Sequence, residues 1–191
     1  MSVSGFIFWG LIAVALIYIV SIYNGLVTLK HSVSKAWANI DVLLKQRHDE
    51  LPKLVETCKQ YMKFEQETLE KVMKARSSVA NAQQQGDIPS LGKAESAMRL
   101  GLGSLFAVAE AYPDLKADET FQHLQARITG LENAIADRRE FYNESVNNNN
   151  VRIEQFPDLF VARMFAFIAH DLLEFSDEEK VDVNLSQLFD K

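Results

Sequence analysis

Leu51-Pro52-Lys53-Leu54-Val55-Glu56-Thr57-Cys58, residues 51–58, sets a proline inside an otherwise unbroken helical pattern, and the topology depends on what that proline does. Apolar residues recur at spacings of three and four on both sides of it. Ile22, Leu26, Leu29, Val33, Ala36, Ile40 and Leu43 precede it; Leu51, Leu54, Val55, Cys58, Tyr61, Met62, Leu69 and Val72 follow. That spacing is the stripe of an amphipathic helix. Pro52 either kinks one long helix or starts a new one after a tight corner. Lengths favour the corner. As one rod, residues 24–84 would extend roughly 90 Å, and a helix over 90–111 would return only about a third of that distance. A last helix over 118–156, some ~58 Å long, would then overshoot the tip with nothing to pack on. With a corner at Pro52 the four segments are roughly 40, 48, 33 and 58 Å long and can lie antiparallel.

Downstream, Ala-Gln-Gln-Gln-Gly-Asp at 82–87 reads as a turn, with Pro89 in the first turn of the following helix. Ala97, Gly101, Ser104, Val108 and Ala111 form a small-residue stripe, where a neighbouring helix is expected to come close. Tyr112-Pro113 ends that helix, because a residue before proline avoids the α region. Phe121, Leu124, Ile128, Leu131, Ile135, Tyr142, Val146, Ile153 and Phe156 then line the buried side of a long helix that Pro157 stops. No alternating strand pattern is present in the sequence.

Upstream, residues 1–29 contain no Asp, Glu, Lys or Arg. Residues 3–23 are mostly Phe, Ile, Leu, Val, Ala, Trp or Tyr and reach roughly 31 Å as a helix, the thickness of a hydrocarbon core. A cleaved signal peptide would need a basic start, a shorter apolar run and an Ala-x-Ala site, and none of these occurs. The stretch is therefore expected to be an uncleaved anchor whose helix runs on into the rest of the chain. Gly25 weakens that junction by only about 1 kcal/mol. Lys30, His31 and Lys35 follow the span, so the positive-inside rule puts the remainder in the cytoplasm with the N-terminus outside.

The fold class is thus all-α: a transmembrane helix (3–23), an antiparallel four-helix bundle (24–157), and an apolar amphipathic segment with an acidic tail (158–191). Leu159, Phe160, Val161, Met164, Phe165, Phe167, Ile168, Leu172 and Leu173 make that segment apolar but too short for a second span, so it rests either on the bilayer or on a neighbouring subunit. The formal net charge of −6 argues against nonspecific nucleic-acid binding. One cysteine, Cys58, forms no intrachain disulfide.

Several short motifs, in order, carry a family likeness. Tyr23-Asn24, Ala36-Trp37-Ala38-Asn39-Ile40-Asp41-Val42, Leu51-Pro52-x-Leu54-Val55-Glu56-Thr57 and Ala75-Arg76 are the first of them. Ala109-Glu110-Ala111-Tyr112-Pro113-x-Leu115-Lys116-Ala117 and Tyr142-Asn143-x-x-Val146 through Phe156-Pro157 complete the set. Together, over residues 22–157, the chain resembles the LemA family of bacterial membrane proteins. It departs at Phe64-Glu65, where the family commonly has His-Glu, and at Asn149, where tyrosine is common. The stretch after Pro157 carries none of these motifs. The resemblance implies a single-pass protein of the cytoplasmic membrane with a cytoplasmic helical bundle, a connection with envelope and magnetosome-membrane organisation, and no catalytic residues.

Residue by residue, no catalytic, cofactor-binding or metal site emerges. His31, His48, His123 and His170 all lack a Glu three residues before them, which a di-iron bundle requires. Glu119/His123 and His170/Glu174 are four apart, but each such pair supplies two ligands at most. Cys58, three and four residues after Val55 and Leu54, reads as a small core residue. Gly101-Leu102-Gly103 follows no strand and reads as close packing, not as a nucleotide fingerprint. Asp41, Arg47, Glu65, Arg76, Glu110, Arg138, Asn143 and Asn150 sit on or beside the apolar stripes. They either lie at the bundle edge with packed stems and solvated heads, or form an internal polar network that fixes register. Asn147 to Asn150 is poor helix material and reads either as a frayed turn or as a polar contact.

These features fit a non-enzymatic, membrane-anchored scaffold that self-assembles into a homo-oligomer and organises the bilayer. An adaptor or chaperone for membrane proteases or signalling proteins is the alternative. No cofactor is expected; the partners expected are the lipid bilayer, further copies of the chain and other membrane proteins.

Overall fold

The computed structural model describes residues 3–174, and Pro52 lies inside its longest helix. Six helices follow in order: α1 (Val3–Tyr61), α2 (Gln66–Gln85), α3 (Ile88–Ala109), α4 (Pro113–Ala117), α5 (Glu119–Glu154) and α6 (Asp158–Met164). Among the described residues there is no strand, as the sequence pattern requires. The acidic tail after Glu174 lies outside the described residues. The described residues divide into two compact units, one of residues 3–40 with 137–172 and one of 41–136 with 173–174, and α1 and α5 each contribute to both.

The corner expected at Pro52 is therefore corrected to Met62–Glu65, ten residues later. Proline inside a helix removes one N–H and leaves the carbonyl four residues earlier without its partner. Here that carbonyl belongs to His48, and the Arg76 Nε–H of α2 donates to it at 2.9 Å. The helix survives its proline because the neighbouring helix replaces the missing donor. Leu51, Leu54, Val55 and Cys58, all buried, continue the stripe straight through it. At the true corner Met62 is buried, the Tyr61 hydroxyl donates to Asp118 Oδ2 at 3.0 Å, and the Tyr112 hydroxyl donates to Glu65 Oε1 at 3.4 Å.

The second unit is a bundle of four helical segments, from α1, α2, α3 and α5. Its register can be followed from side-chain pairs. Gln83 Nε2 donates to Asp41 Oδ1 at 2.7 Å and Arg76 reaches His48, so seven residues forward along α1 match seven residues back along α2. That is an antiparallel pair, as the short corner demands. Along α5, Arg127 meets Glu50 at 3.1 Å and Asp118 meets Tyr61, again antiparallel to α1. The α2–α3 turn is tighter than expected: Ala82 to Gln85 remain helical and only Gly86-Asp87 turn. Gly86 takes φ 66°, the left-handed cap that lacks a Cβ penalty, with Asp87 N–H donating to the Ala82 carbonyl. The Asp87 carboxylate then caps α3 by accepting from Ser90 N–H at 3.0 Å.

On α3 the packed stripe is Leu91, Ala94, Met98, Leu102, Leu105 and Ala109. The small-residue stripe is corrected: Ala97, Ser104 and Ala111 are exposed, and only Gly101 is buried, against Val72 of α2. The adjoining face, with the larger apolar residues Leu91, Met98, Leu102 and Leu105, turned inward instead. The long-helix stripe is observed on α5 from Phe121 to Ile153, with the exception of Phe156, which lies beyond the helix end and is 80% exposed.

Gly92 faces a second backbone. A methyl group on it would overlap the Glu174 carbonyl oxygen and stand 3.0 Å from the Glu174 carbonyl carbon, whereas Gly103 and Gly130, also helical, have open space. Gly103→Ala and Gly130→Ala are expected to stabilise the protein by about 1 kcal/mol each through helix propensity. Gly92→Ala is expected to reverse that sign and displace residues 173–174. Thermal unfolding of the three variants in one detergent checks the contrast.

Candidate functional site

The first unit joins an apolar helix to a buried core without an intervening loop. An 18-residue window of α1 has mean hydropathy 2.4, with only 6% of it covered by the rest of the protein, so it is not a core helix. Immediately after it, Ile22 and Leu26 are buried in a cluster with Ile153 of α5 and Val161 and Ala162 of α6, with Phe167 packed against them. The helix passes Asn24-Gly25 unbroken, as expected from the small cost of one glycine. Membrane-length helix and core are one element, and a cut after Tyr23 would remove Ile22 from the cluster.

α6 and the chain after it close over this point. Its inner face is Val161, Ala162 and Asp158, the last paired with Arg152 of α5. Ala166 then takes φ 54°, with Ala166 N–H donating to Arg163 O at 3.3 Å and Phe167 N–H to Ala162 O at 2.9 Å. This is a left-handed helix cap built on alanine. The strain persists because the turn delivers Phe165 and Phe167 to Tyr23, with ring centroids 4.7 and 5.9 Å away. Replacing Ala166 by glycine is expected to raise stability by about 1 kcal/mol, read as a higher unfolding midpoint.

The next residues are strapped to α5 by side chains. The Asn150 amide donates to the His170 carbonyl at 2.8 Å and accepts His170 N–H at 2.9 Å, so one side chain satisfies both backbone groups of a residue outside any helix. Asn149 Nδ2 donates to the Ile168 carbonyl at 3.2 Å, and the Tyr142 hydroxyl donates to the Asp171 carbonyl at 3.1 Å. The asparagine run is thus a polar contact inside α5, not a frayed turn, and Asn149, the departure from tyrosine, is buried in it. Tyr23, Lys30 and His31 of α1 and Phe165, Ile168 and His170 line a cleft of about 400 Å³ beside the strap.

In the second unit the internal polar network exists, with a membership only partly expected. Arg47 is 1% exposed and forms a double interaction with Glu95 of α3, donating to Oε2 at 2.9 Å, and it donates to Glu132 of α5 at 2.5 Å. Burial disfavours its charge most, but Glu95 and Glu132 outweigh that, and the guanidinium is held above its ordinary value. Arg76 also contacts His48 Nε2 at 2.6 Å. Burial first, and the Arg76 charge second, hold the imidazole below its ordinary range, so Nε2 serves as acceptor. Glu50, buried, bridges Arg127 and Lys53. Arg138 and Glu110, by contrast, are exposed, Glu110 pairing with Lys116 at the surface, so they belong to the edge. Glu95 and Glu132 were absent from the expected set. The signal for Glu95 was its place between Ala94 and Met98 on an apolar stripe.

No group of three or more metal-ligating side chains gathers among the described residues. Glu119 and His123 are both exposed, and residues 170–174 are not helical, so His170 and Glu174 do not share a helix face. Cys58 is a core residue whose thiol is pushed up to about 12 by burial. Its folded value lies above the unfolded one, so stability from the protonated thiol is present below pH 9.0 and is lost as pH rises from there towards 12. A thiol reagent at pH 8 is accordingly expected to leave Cys58 unmodified in the folded protein and to label it on unfolding, as read by mass spectrometry.

A sequence profile of the LemA family matches residues 36–186, past the point at Pro157 where the recognised motifs stop. The magnetosome protein MamQ 2 of Paramagnetospirillum magneticum is 24% identical over 168 residues, covering 76% of this chain and 62% of that protein. MamQ of Magnetospirillum gryphiswaldense has the same identity and coverage, so the chain spans 62% of the length of these relatives. The protein LemA of Metamycoplasma hominis is 27% identical over 187 residues, 96% of this chain and 84% of that protein.

Proposed function

Because the chain belongs to the LemA family, we propose that it is a non-enzymatic scaffold, anchored by α1 in the bacterial cytoplasmic membrane, which assembles with copies of itself to organise the bilayer. The observation that carries this is the placement of Ile22 and Leu26. The last turn of the apolar helix is already part of the first unit's core, so force or orientation passes between lipid and protein without a hinge within that unit. A shaping element depends on such a junction. Lys30 and Lys35, just past the apolar stretch, support a cytoplasmic placement of the helices that follow. The names of the MamQ relatives, magnetosome proteins, accord with a role at a membrane.

Light scattering of the full chain in mild detergent, with subunit counting by photobleaching in liposomes, tests the assembly. A closed complex of fixed stoichiometry is expected. A monomer in both would remove self-assembly and favour an adaptor. One feature supports that second reading: a groove of about 540 Å³ at the α1–α2 corner, lined by Val55, Met62, Leu69 and Met73 with Lys59 and Glu70. Methionine-lined surfaces accommodate varied partners, and crosslinking in cells that recovers one stoichiometric partner would select this reading.

A further inference from the structure

The outer face of α6 is apolar and uncovered. Phe160 is 64% and Met164 65% exposed, four residues apart on one side of the helix, while Val161 and Ala162 fill the other. Phe156, 80% exposed, stacks edge-on against Phe160 at 5.8 Å, and Phe165 and Ile168 extend the patch. In a water-facing position this would be an aggregation liability. Its location gives it a different meaning. Phe165 lies 4.7 Å from Tyr23, the residue at which the apolar segment has used up a hydrocarbon thickness. α6 has seven residues and is about 10 Å long, so, with Phe165 beside Tyr23, its far end is within about 15 Å of the Tyr23 level. The polar headgroup zone on each side of a bilayer is itself roughly 5–7 Å deep, and amphipathic helices bury their apolar face about 5–10 Å into its inner boundary.

We propose that Phe156, Phe160, Met164 and Phe165 insert into the headgroup–acyl boundary of the leaflet that α1 leaves, giving the protein a second, interfacial membrane contact. The occupant of the patch is lipid, because the neighbouring span already brings lipid to it. A protein partner would first have to displace the headgroups. Arg163, exposed between Phe160 and Met164, and Lys30, on the next turns of α1, are placed for phosphate while their stems remain in apolar surroundings. The two contacts together fix the first unit against tilting and sliding relative to the bilayer surface, which a lone helix does not. This inference rests on α1 spanning the bilayer, as in the function proposed above.

Nitroxide labels on the full chain in phosphatidylglycerol–phosphatidylethanolamine liposomes test it, in a Cys58→Ala background. Labels go in turn on Phe160→Cys, Met164→Cys, Val14→Cys within the apolar helix, and Glu140→Cys on the exposed side of α5. Collision with oxygen reports lipid and collision with a nickel chelate reports water. At 160 and 164 a several-fold excess of oxygen over nickel contact relative to 140 is expected, shallower than at 14. Water-like values at 160 and 164 with a lipid value at 14 would overturn the interfacial contact and leave the anchor intact. Low access to both reagents would mean that a second copy covers the patch, and would overturn it equally. A water-like value at 14 would overturn the anchor itself, and the proposal with it.

Discussion

Arg47→Ala is expected to destabilise the second unit by about 3–5 kcal/mol, because it leaves Glu95 and Glu132 with the cost of burial but without the cation that offsets it. Denaturant unfolding followed by circular dichroism, with the protein held in one detergent, reads the change in midpoint. A second variant separates the loss of a charge pair from the loss of packing. Replacing Arg47 by Met together with Glu95 by Leu and Glu132 by Gln removes the network as a whole. It is expected to recover most of the loss, since apolar replacements of a buried ion pair are commonly neutral or better. A single variant that loses less than ~1 kcal/mol would mean that water enters and solvates the carboxylates, and that the network is a surface feature despite its burial.

The position of Arg47 was legible in the sequence, and its partners were not. Periodicity assigns a residue to a helix face from its own neighbours along the chain. Which residue of a helix 48 positions away comes opposite is a matter of register, and register is fixed by where the corner falls. With the corner placed at Pro52 the pairing along α1 and α2 is shifted, and no pairing with Glu95 is visible. The all-α class, the apolar N-terminal helix and the buried stripe of α5 were all readable, because each is a local pattern. The strap of Asn149 and Asn150 was readable only as an anomaly: four asparagines in a helix contradict propensity, and propensity yielded because two of their amides replace backbone partners that residues 168 and 170 lack.

Arg76→Leu is expected to cost about 1–3 kcal/mol, the range for leaving a partly buried carbonyl without a donor. The orphan is His48 O, and the cause of its orphaning is Pro52. This makes a specific coupling. In a Pro52→Ala background the helix supplies its own N–H to His48 O, so the same Arg76→Leu change should cost measurably less. A double-mutant cycle by denaturant unfolding gives the coupling, expected at about 1 kcal/mol. Additive effects would show that Arg76 acts through its His48 Nε2 contact or its aliphatic stem alone. The pair also explains why proline was misleading as punctuation: proline disfavours a helix interior by leaving a bond unmade, and a side chain from another helix can make that bond.

One consequence of the unbroken junction at Ile22–Leu26 concerns azimuth. A helix that leaves the bilayer through a flexible linker can rotate about its own axis. This one cannot do so independently, because Ile22 and Leu26 must face Ile153 and Val161. The heptad-like spacing backwards from them selects Tyr18, Ala15 and Leu11 as the side of the span that shares the α6 direction. The bearing of the apolar helix is thus already set by the first unit's core. If copies assemble as proposed above, lateral contacts between their apolar helices would set how the first units face one another, through a few buried side chains.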